Sequence, residues 1–266
     1  MPSSEIPSST TGVVERPGAR LAYDIAGTGS GPVVVLTHGM LSSCANADEL
    51  HLGMGGLAGD DLEVVRYDAR GHGRSTGEAD PATYTWSELA GDLLAVVDEV
   101  SPGAPVDGIG ASMGSASLLT AATRAPERFR RLVVLIAPTI WDSRIPQVDG
   151  YREMRDAADE HGEAAFDVVL RSAPMPELFA GTDVHMASQV GPGLLPAVLE
   201  GAARSDLPPR EAIAALPHEV LLLSWAGDPT HPVSSGELLA ELIPTARLHV
   251  AETLDEVDRW PELVRA

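Results

Sequence analysis

One stretch, Gly108-Ile109-Gly110-Ala111-Ser112-Met113-Gly114-Ser115, limits what this chain can fold into more than any other. A short apolar segment, Val106 to Ile109, feeds it, and Ala116-Ser117-Leu118-Leu119-Thr120-Ala121-Ala122 follows. That order reads as strand, sharp turn, helix. Gly110-Ala111-Ser112-Met113-Gly114 fits G-x-S-x-G, which lifts a serine hydroxyl clear of a sheet on a strained turn. Small residues two before and two after the serine let strand and helix backbones pass closely. The Met113 N–H, at the helix start, is placed to face an oxyanion. Gly-rich turns of this kind also occur as plain turns, so the surrounding sequence decides.

A chain of 266 residues accommodates one large domain with an insertion, and 44% hydrophobic residues supply a sizeable core. The formal net charge is −21, and all 18 basic residues are arginine. Such a surface argues against nucleic acid or anionic membranes as partners and disfavours polyanionic substrates. The single cysteine, Cys44, rules out an internal disulfide framework and fits a reducing cytoplasm. The stretch Met1 to Glu5 shows no basic and apolar secretory pattern, and no apolar run approaches membrane-spanning length. The expected partner is a small-molecule substrate; oligomeric state is not legible.

Residues 1–12, rich in Ser, Pro and Thr, read as a disordered tail. Leu21 to Ile25 alternates like an edge strand, and Pro32 to Thr37 is a continuous apolar run, as in a strand buried on both faces. A helix is expected from about Asn46 to Leu57, weakened by Gly53, Gly55 and Gly56. Leu62 to Tyr67 is the next strand, Thr85 to Val100 an amphipathic helix, and Leu132 to Ile136 another buried strand. Strands alternating with helices imply a parallel sheet covered on both faces. The alternation breaks between about Trp141 and Leu216, where helices are interrupted by prolines and no strand is evident. It resumes with Val220 to Trp225, a helix from Ser234, a strand Arg247 to Val250 and a last helix from about Asp255.

Four stretches in this order resemble the α/β-hydrolase family: Thr37-His38-Gly39-Met40, Asp68-Ala69-Arg70-Gly71-His72-Gly73-Arg74-Ser75, the Ser112 turn, and Gly227-Asp228-Pro229. The resemblance spans nearly all of the chain beyond the tail. It implies a mostly parallel, doubly wound α/β sheet, with residues 13–140 and 217–266 as the core. It also implies a helical lid, residues 141–216, inserted after the sixth strand, with ligands bound beneath it at the carboxyl ends of the strands. By the same resemblance Ser112 is the nucleophile, Met40 and Met113 supply the oxyanion-hole amides, and Asp228 is the triad acid. Serine attack needs a base to take its proton and a carboxylate to fix that base's tautomer.

The family places the base in a loop after the last strand. Here that loop, Ala251 to Val257, contains no histidine, and Thr253 or Asp255 reads as a helix cap. His231, three residues after Asp228 and at the correct end of the sheet, is the candidate base; a loop histidine with structural bonds is the plain alternative. His185 in the lid segment is a second candidate. His249 reads as packed within the last strand, His38 and His72 as loop braces. Asp142, after the strand ending at Ile136, is an alternative acid. Cys44 reads as a small buried residue, and the acidic run Asp156, Asp159, Glu160, Glu163 as a solvated helix face. No grouping has metal-ligand spacing and Gly27 to Gly31 is not a phosphate loop, so neither metal nor cofactor is expected.

Three functions fit. The first is a cofactor-independent serine hydrolase of a small, largely apolar ester, lactone or thioester, with Met154, Phe166, Leu170, Met175, Leu178, Phe179, Met186, Leu194 and Leu195 as possible pocket lining. The second is a lyase, cyclase or isomerase that uses the oxyanion hole for an enolate or alkoxide. The third is a ligand binder without catalysis.

Overall fold

The computed structural model describes residues 10–27, 31–59, 61–173 and 175–266. Eight strands form one sheet: β1 Thr10–Arg16, β2 Ala19–Ala26, β3 Val33–Thr37, β4 Glu63–Tyr67, β5 Val106–Ala111, β6 Phe129–Leu135, β7 Glu219–Trp225 and β8 Ala246–Ala251. Their order is β1-β2-β4-β3-β5-β6-β7-β8. The β1–β2 and β2–β4 pairs are antiparallel and the others parallel. Of the expected tail, residues 1–9 lie outside the described residues. Thr10 to Gly12 are not tail but the start of β1, held in register against Ile25, Asp24 and Tyr23.

The continuous apolar runs follow from burial on both faces, because successive side chains point to opposite sides. Val35, Val65, Leu132, Val134 and Leu222 enter one core with helices α2 (Trp86–Val100) and α3 (Met113–Arg124). Their neighbours Val34, Leu36, Val64, Val133 and Leu223 enter a second core. That core is closed by Leu50, Leu52 and Leu57 and by Trp260 and Val264. Each such side chain contributes about 1.5–3 kcal/mol on full burial, so both layers are held chiefly by this alternation.

The expected helix from Asn46 to Leu57 is only one turn, α1 (Cys44–Ala47). His51 and Met54 take positive φ beyond it, and the following turns carry the glycines that weaken a helix. Between β6 and β7 lie α4 (Ile145–His161), α5 (Glu163–Arg171), α6 (Leu195–Ala203) and α7 (Arg210–Ala214), with no strand among the described residues. Arg152, Arg155 and Arg204 converge on Glu200 and pin α4 to α6. Backbone bonds tie this helical segment to the sheet: Gly191 N–H to Gly71 O at 2.8 Å, Gly73 N–H to Gln189 O at 2.8 Å, and Gln189 N–H to Leu41 O at 3.0 Å. The chain ends with α8 (Val233–Leu242), α9 (Leu254–Val257) and α10 (Trp260–Arg265). Thr253 caps α9, accepting from the Glu256 N–H, as read from sequence. Among the described residues no helix is long and apolar enough to cross a membrane.

Candidate active site

Ser112 sits between β5 and α3 with φ 51° and ψ −115°. Positive φ on a residue with a Cβ costs on the order of 1–3 kcal/mol, so the surroundings must enforce it. They do so by close backbone approach. A Cβ on Gly110 would lie 2.5 Å from Gly114 O, and one on Gly114 would lie 2.5 Å from Thr37 O. The Ser112 N–H donates to Leu135 O at 3.0 Å, and the Ser115 hydroxyl donates to Ser112 O at 2.6 Å. The hydroxyl of Ser112 is thereby held at the carboxyl end of the sheet.

Asp228 and His231 share the β7–α8 connection. The Asp228 carboxylate turns this loop on itself: Oδ1 accepts from the Thr230 N–H at 2.8 Å and the His231 N–H at 3.2 Å. The turn brings the two side chains together, Nδ1 of His231 lying 2.8 Å from Oδ2 of Asp228. Nε2 of His231 lies 2.8 Å from Oγ of Ser112. A carboxylate only accepts, so the proton is assigned to Nδ1 and Nε2 is free to accept from Ser112. Oδ2 of Asp228 also accepts from the indole N–H of Trp225 at 2.9 Å. Burial by itself would raise the Asp228 pKa; the bonds from His231, Trp225 and the Thr230 amide overcome that and hold it well below the usual carboxylate range.

Met113 N–H belongs to the first turn of α3, where helix amides lack internal acceptors. A Cβ on Gly39 would lie 3.3 Å from Cβ of Ser112, so the loop carrying Met40 runs directly beside the serine. Among the described residues neither the Met40 nor the Met113 N–H donates to a protein acceptor.

Ser112, Asp228, His231, Met40 and Met113 line one cavity of about 500 Å³ between the strand ends and the helical segment. Met154, Leu170, Met175 and Met186 also line it. Phe166 and Leu195 instead pack with Leu41 and Leu199, and Leu178 and Phe179 pack towards Trp225. Asp142 is not at the site: its side chain is 91% exposed and pairs with Arg210. His185 is exposed, bonded to Arg171 and Asp183 O. His249 is exposed, not packed, because β8 is the sheet edge and no element covers that position.

The other motif residues brace loops. His38 donates from Nδ1 to Gly39 O and accepts the Ala69 N–H on Nε2, which links the loops after β3 and β4. Asp68 accepts from the Cys44 N–H and from Arg74, and Arg70 grips Asp92 of α2 with two bonds. Burial keeps His38 and His72 neutral, and His72 is pushed down to about 3. Cys44 is buried, with its thiol pKa pushed up by burial. Among the described residues no group of His, Cys, Asp or Glu could hold a metal ion. Sequence reading missed three residues at the site. Trp225 ends β7 just before the Gly-Asp turn, a position that could have been noted. Trp86 read as one residue of an apolar helix face. Arg144 carries no signal in the sequence that marks it as part of the site; only the start of α4 at Ile145 brings it to the cavity.

A family model described as serine aminopeptidase, S33, matches residues 30–159, just under half of the chain. The thermophilic esterase of Thermogutta terrifontis superposes with a TM-score of 0.77 at 20% identity, covering 96% of this chain and 97% of that one. With the sheet order and the Ser112 turn, this settles the architecture. The chain has the α/β-hydrolase fold. Among curated relatives, the probable oxidoreductase EphD of Mycobacterium tuberculosis is 39% identical over 98 residues, 37% of this chain. The chain thus spans only 16% of EphD's length. The α/β-hydrolase chain is also 27% identical to 3-oxoadipate enol-lactonase 2 of Acinetobacter baylyi over 201 residues, 73% of this chain and 72% of that protein.

Proposed function

We propose that this protein is a cofactor-independent serine hydrolase of small, largely apolar esters, lactones or thioesters. One observation carries the reading: Ser112, His231 and Asp228 form an unbroken hydrogen-bonded chain facing a cavity of about 500 Å³. His231 Nε2 takes the Ser112 proton as Oγ attacks the acyl carbon. The carbonyl oxygen becomes an oxyanion, stabilised by the Met40 and Met113 amides. The imidazolium, balanced by Asp228, returns the proton to the leaving alcohol or thiol as its bond to the acyl carbon breaks. Water then repeats the sequence on the acyl-enzyme and regenerates Ser112. The segment 141–216 serves as a lid over residues 13–140 and 217–266, and its methionines supply adaptable apolar contact. The likeness to an enol-lactonase supports placing lactones among the substrates.

Fluorophosphonate labelling followed by peptide mass spectrometry tests the reading. Ser112 is expected to carry the label, and Ser112→Ala to abolish both labelling and p-nitrophenyl ester turnover. Turnover that survives Ser112→Ala would instead favour the lyase, cyclase or isomerase reading. Ligand-dependent thermal stabilisation without any turnover would favour the binder.

A further inference from the structure

The cavity wall supplied by the helical segment carries a charged group that acyl transfer at Ser112 does not need. Arg144, immediately before α4, is 2% exposed and lines the cavity. Its protein partners are carbonyls: Ser205 O on Nε, Ala202 O on Nη2 at 2.6 Å and Thr139 O on Nη1 at 3.5 Å. Its guanidinium carbon stands 3.9 Å from the Trp86 ring centroid and 5.3 Å from that of Tyr151. Among the described residues no carboxylate lies within ion-pair distance of it, in a chain with 39 acidic residues. The Tyr151 side chain supports the Arg144 charge, and so does Asp206, which is exposed and uses Oδ1 on the Trp141 and Leu207 amides.

The contrast with the other buried arginine is informative. Arg70 is paired bidentately with Asp92. A buried charge without a counter-ion is costly. Carbonyls and aromatic faces offset part of that cost and leave a net positive site in a low-dielectric cavity. Three of the five guanidinium N–H groups are engaged with carbonyls. Gln147 and Tyr151 stand on the same wall as neutral hydrogen-bonding groups.

We infer that Arg144 receives a single carboxylate of the substrate, so that the acyl compound turned over is a half-ester, half-thioester or carboxyalkyl lactone. One guanidinium matches one carboxylate, and a surrounding net charge of −21 opposes further anionic groups. The acyl-transfer half of this statement rests on the hydrolase reading; the carboxylate site does not.

The test is binding to the Ser112→Ala protein, measured by calorimetry with monomethyl and dimethyl esters of the C4 to C8 straight-chain dicarboxylic acids. At least one monomethyl ester is expected to bind about 10- to 100-fold more tightly than its diester. That preference should vanish in Ser112→Ala/Arg144→Gln. A half-ester that binds no better than its diester at every length overturns the inference, as does a preference that survives Arg144→Gln. Should Arg144→Gln fail to fold, the preference on Ser112→Ala is measured again below the half-ester's carboxyl pKa, where it must disappear; persistence there overturns the inference. Half-ester binding with no turnover by the unmodified protein would sink the hydrolase reading and leave the carboxylate site intact. Turnover of neutral esters with no half-ester preference would do the reverse.

Discussion

Nε2 of His231 lies 2.8 Å from Oγ of Ser112, although the two residues are 119 positions apart in the chain. The same imidazole reaches Asp228 three residues before it, so this carboxylate and imidazole share one loop. The loop after β8 is left with helix capping alone. If this geometry is catalytic, His231→Gln keeps side-chain volume and polarity but loses the base. Its kcat for ester hydrolysis should fall about 10³- to 10⁴-fold, with the thermal midpoint nearly unchanged. Near-normal kcat would remove His231 from the mechanism.

Asp228 fixes the tautomer through Nδ1. Asp228→Asn presents a group that no longer enforces a proton there, and kcat should drop about 10⁴-fold. Trp225→Phe removes only the indole donor to Oδ2, one of several bonds to that carboxylate. A loss of roughly 3- to 10-fold in kcat/KM is expected, corresponding to one hydrogen bond. Unchanged kcat/KM in this variant would assign Trp225 to packing alone.

His72 links pH to stability. Burial, with His38 beside it, pushes it down to about 3. Between its ordinary value and about 3 the unfolded chain binds a proton there that the folded chain does not. Stability therefore is complete above the ordinary histidine range and falls as pH drops through that window. At pH 5 this one group should cost roughly 2 kcal/mol relative to neutral pH. Urea unfolding at both pH values compares wild type with His72→Gln, which should show a shallower acid loss; equal losses would contradict the assignment.

Gly114→Ala places a methyl group 2.5 Å from Thr37 O and 2.7 Å from His38 O, both backbone atoms. Neither can move without shifting β3. A loss of about 2 kcal/mol or more in unfolding free energy is expected, together with lower fluorophosphonate reactivity at Ser112. Wild-type stability in this variant would mean that α3 and β3 are not packed as described.

Much of the fold was legible because its causes are local. Pro32 to Thr37 and Leu132 to Ile136 read as strands buried on both faces since each alternate side chain needs an apolar neighbour, whichever core it enters. The Ser112 turn is legible because Gly110 answers a steric contact with Gly114 O four residues away, although Gly114 itself answers the distant Thr37 O of β3. The helix expected at 46–57 failed where tertiary packing of Leu50, Leu52 and Leu57 overrode a weak periodicity. His249 was misjudged because period alone does not reveal which strand lies at a sheet edge.

By itself, the sequence determined the strand–turn–helix around Ser112, the alternating order of elements and the acidic character of the chain. Those depend on backbone sterics, side-chain periodicity and formal charge, all readable along one dimension. Only the tertiary structure decided which of eight histidines meets Ser112, and that Arg144 lies buried without a carboxylate. Both are distances between segments far apart in the chain, set by how the β7–α8 loop and α4 dock over the strand ends, and no local pattern encodes them.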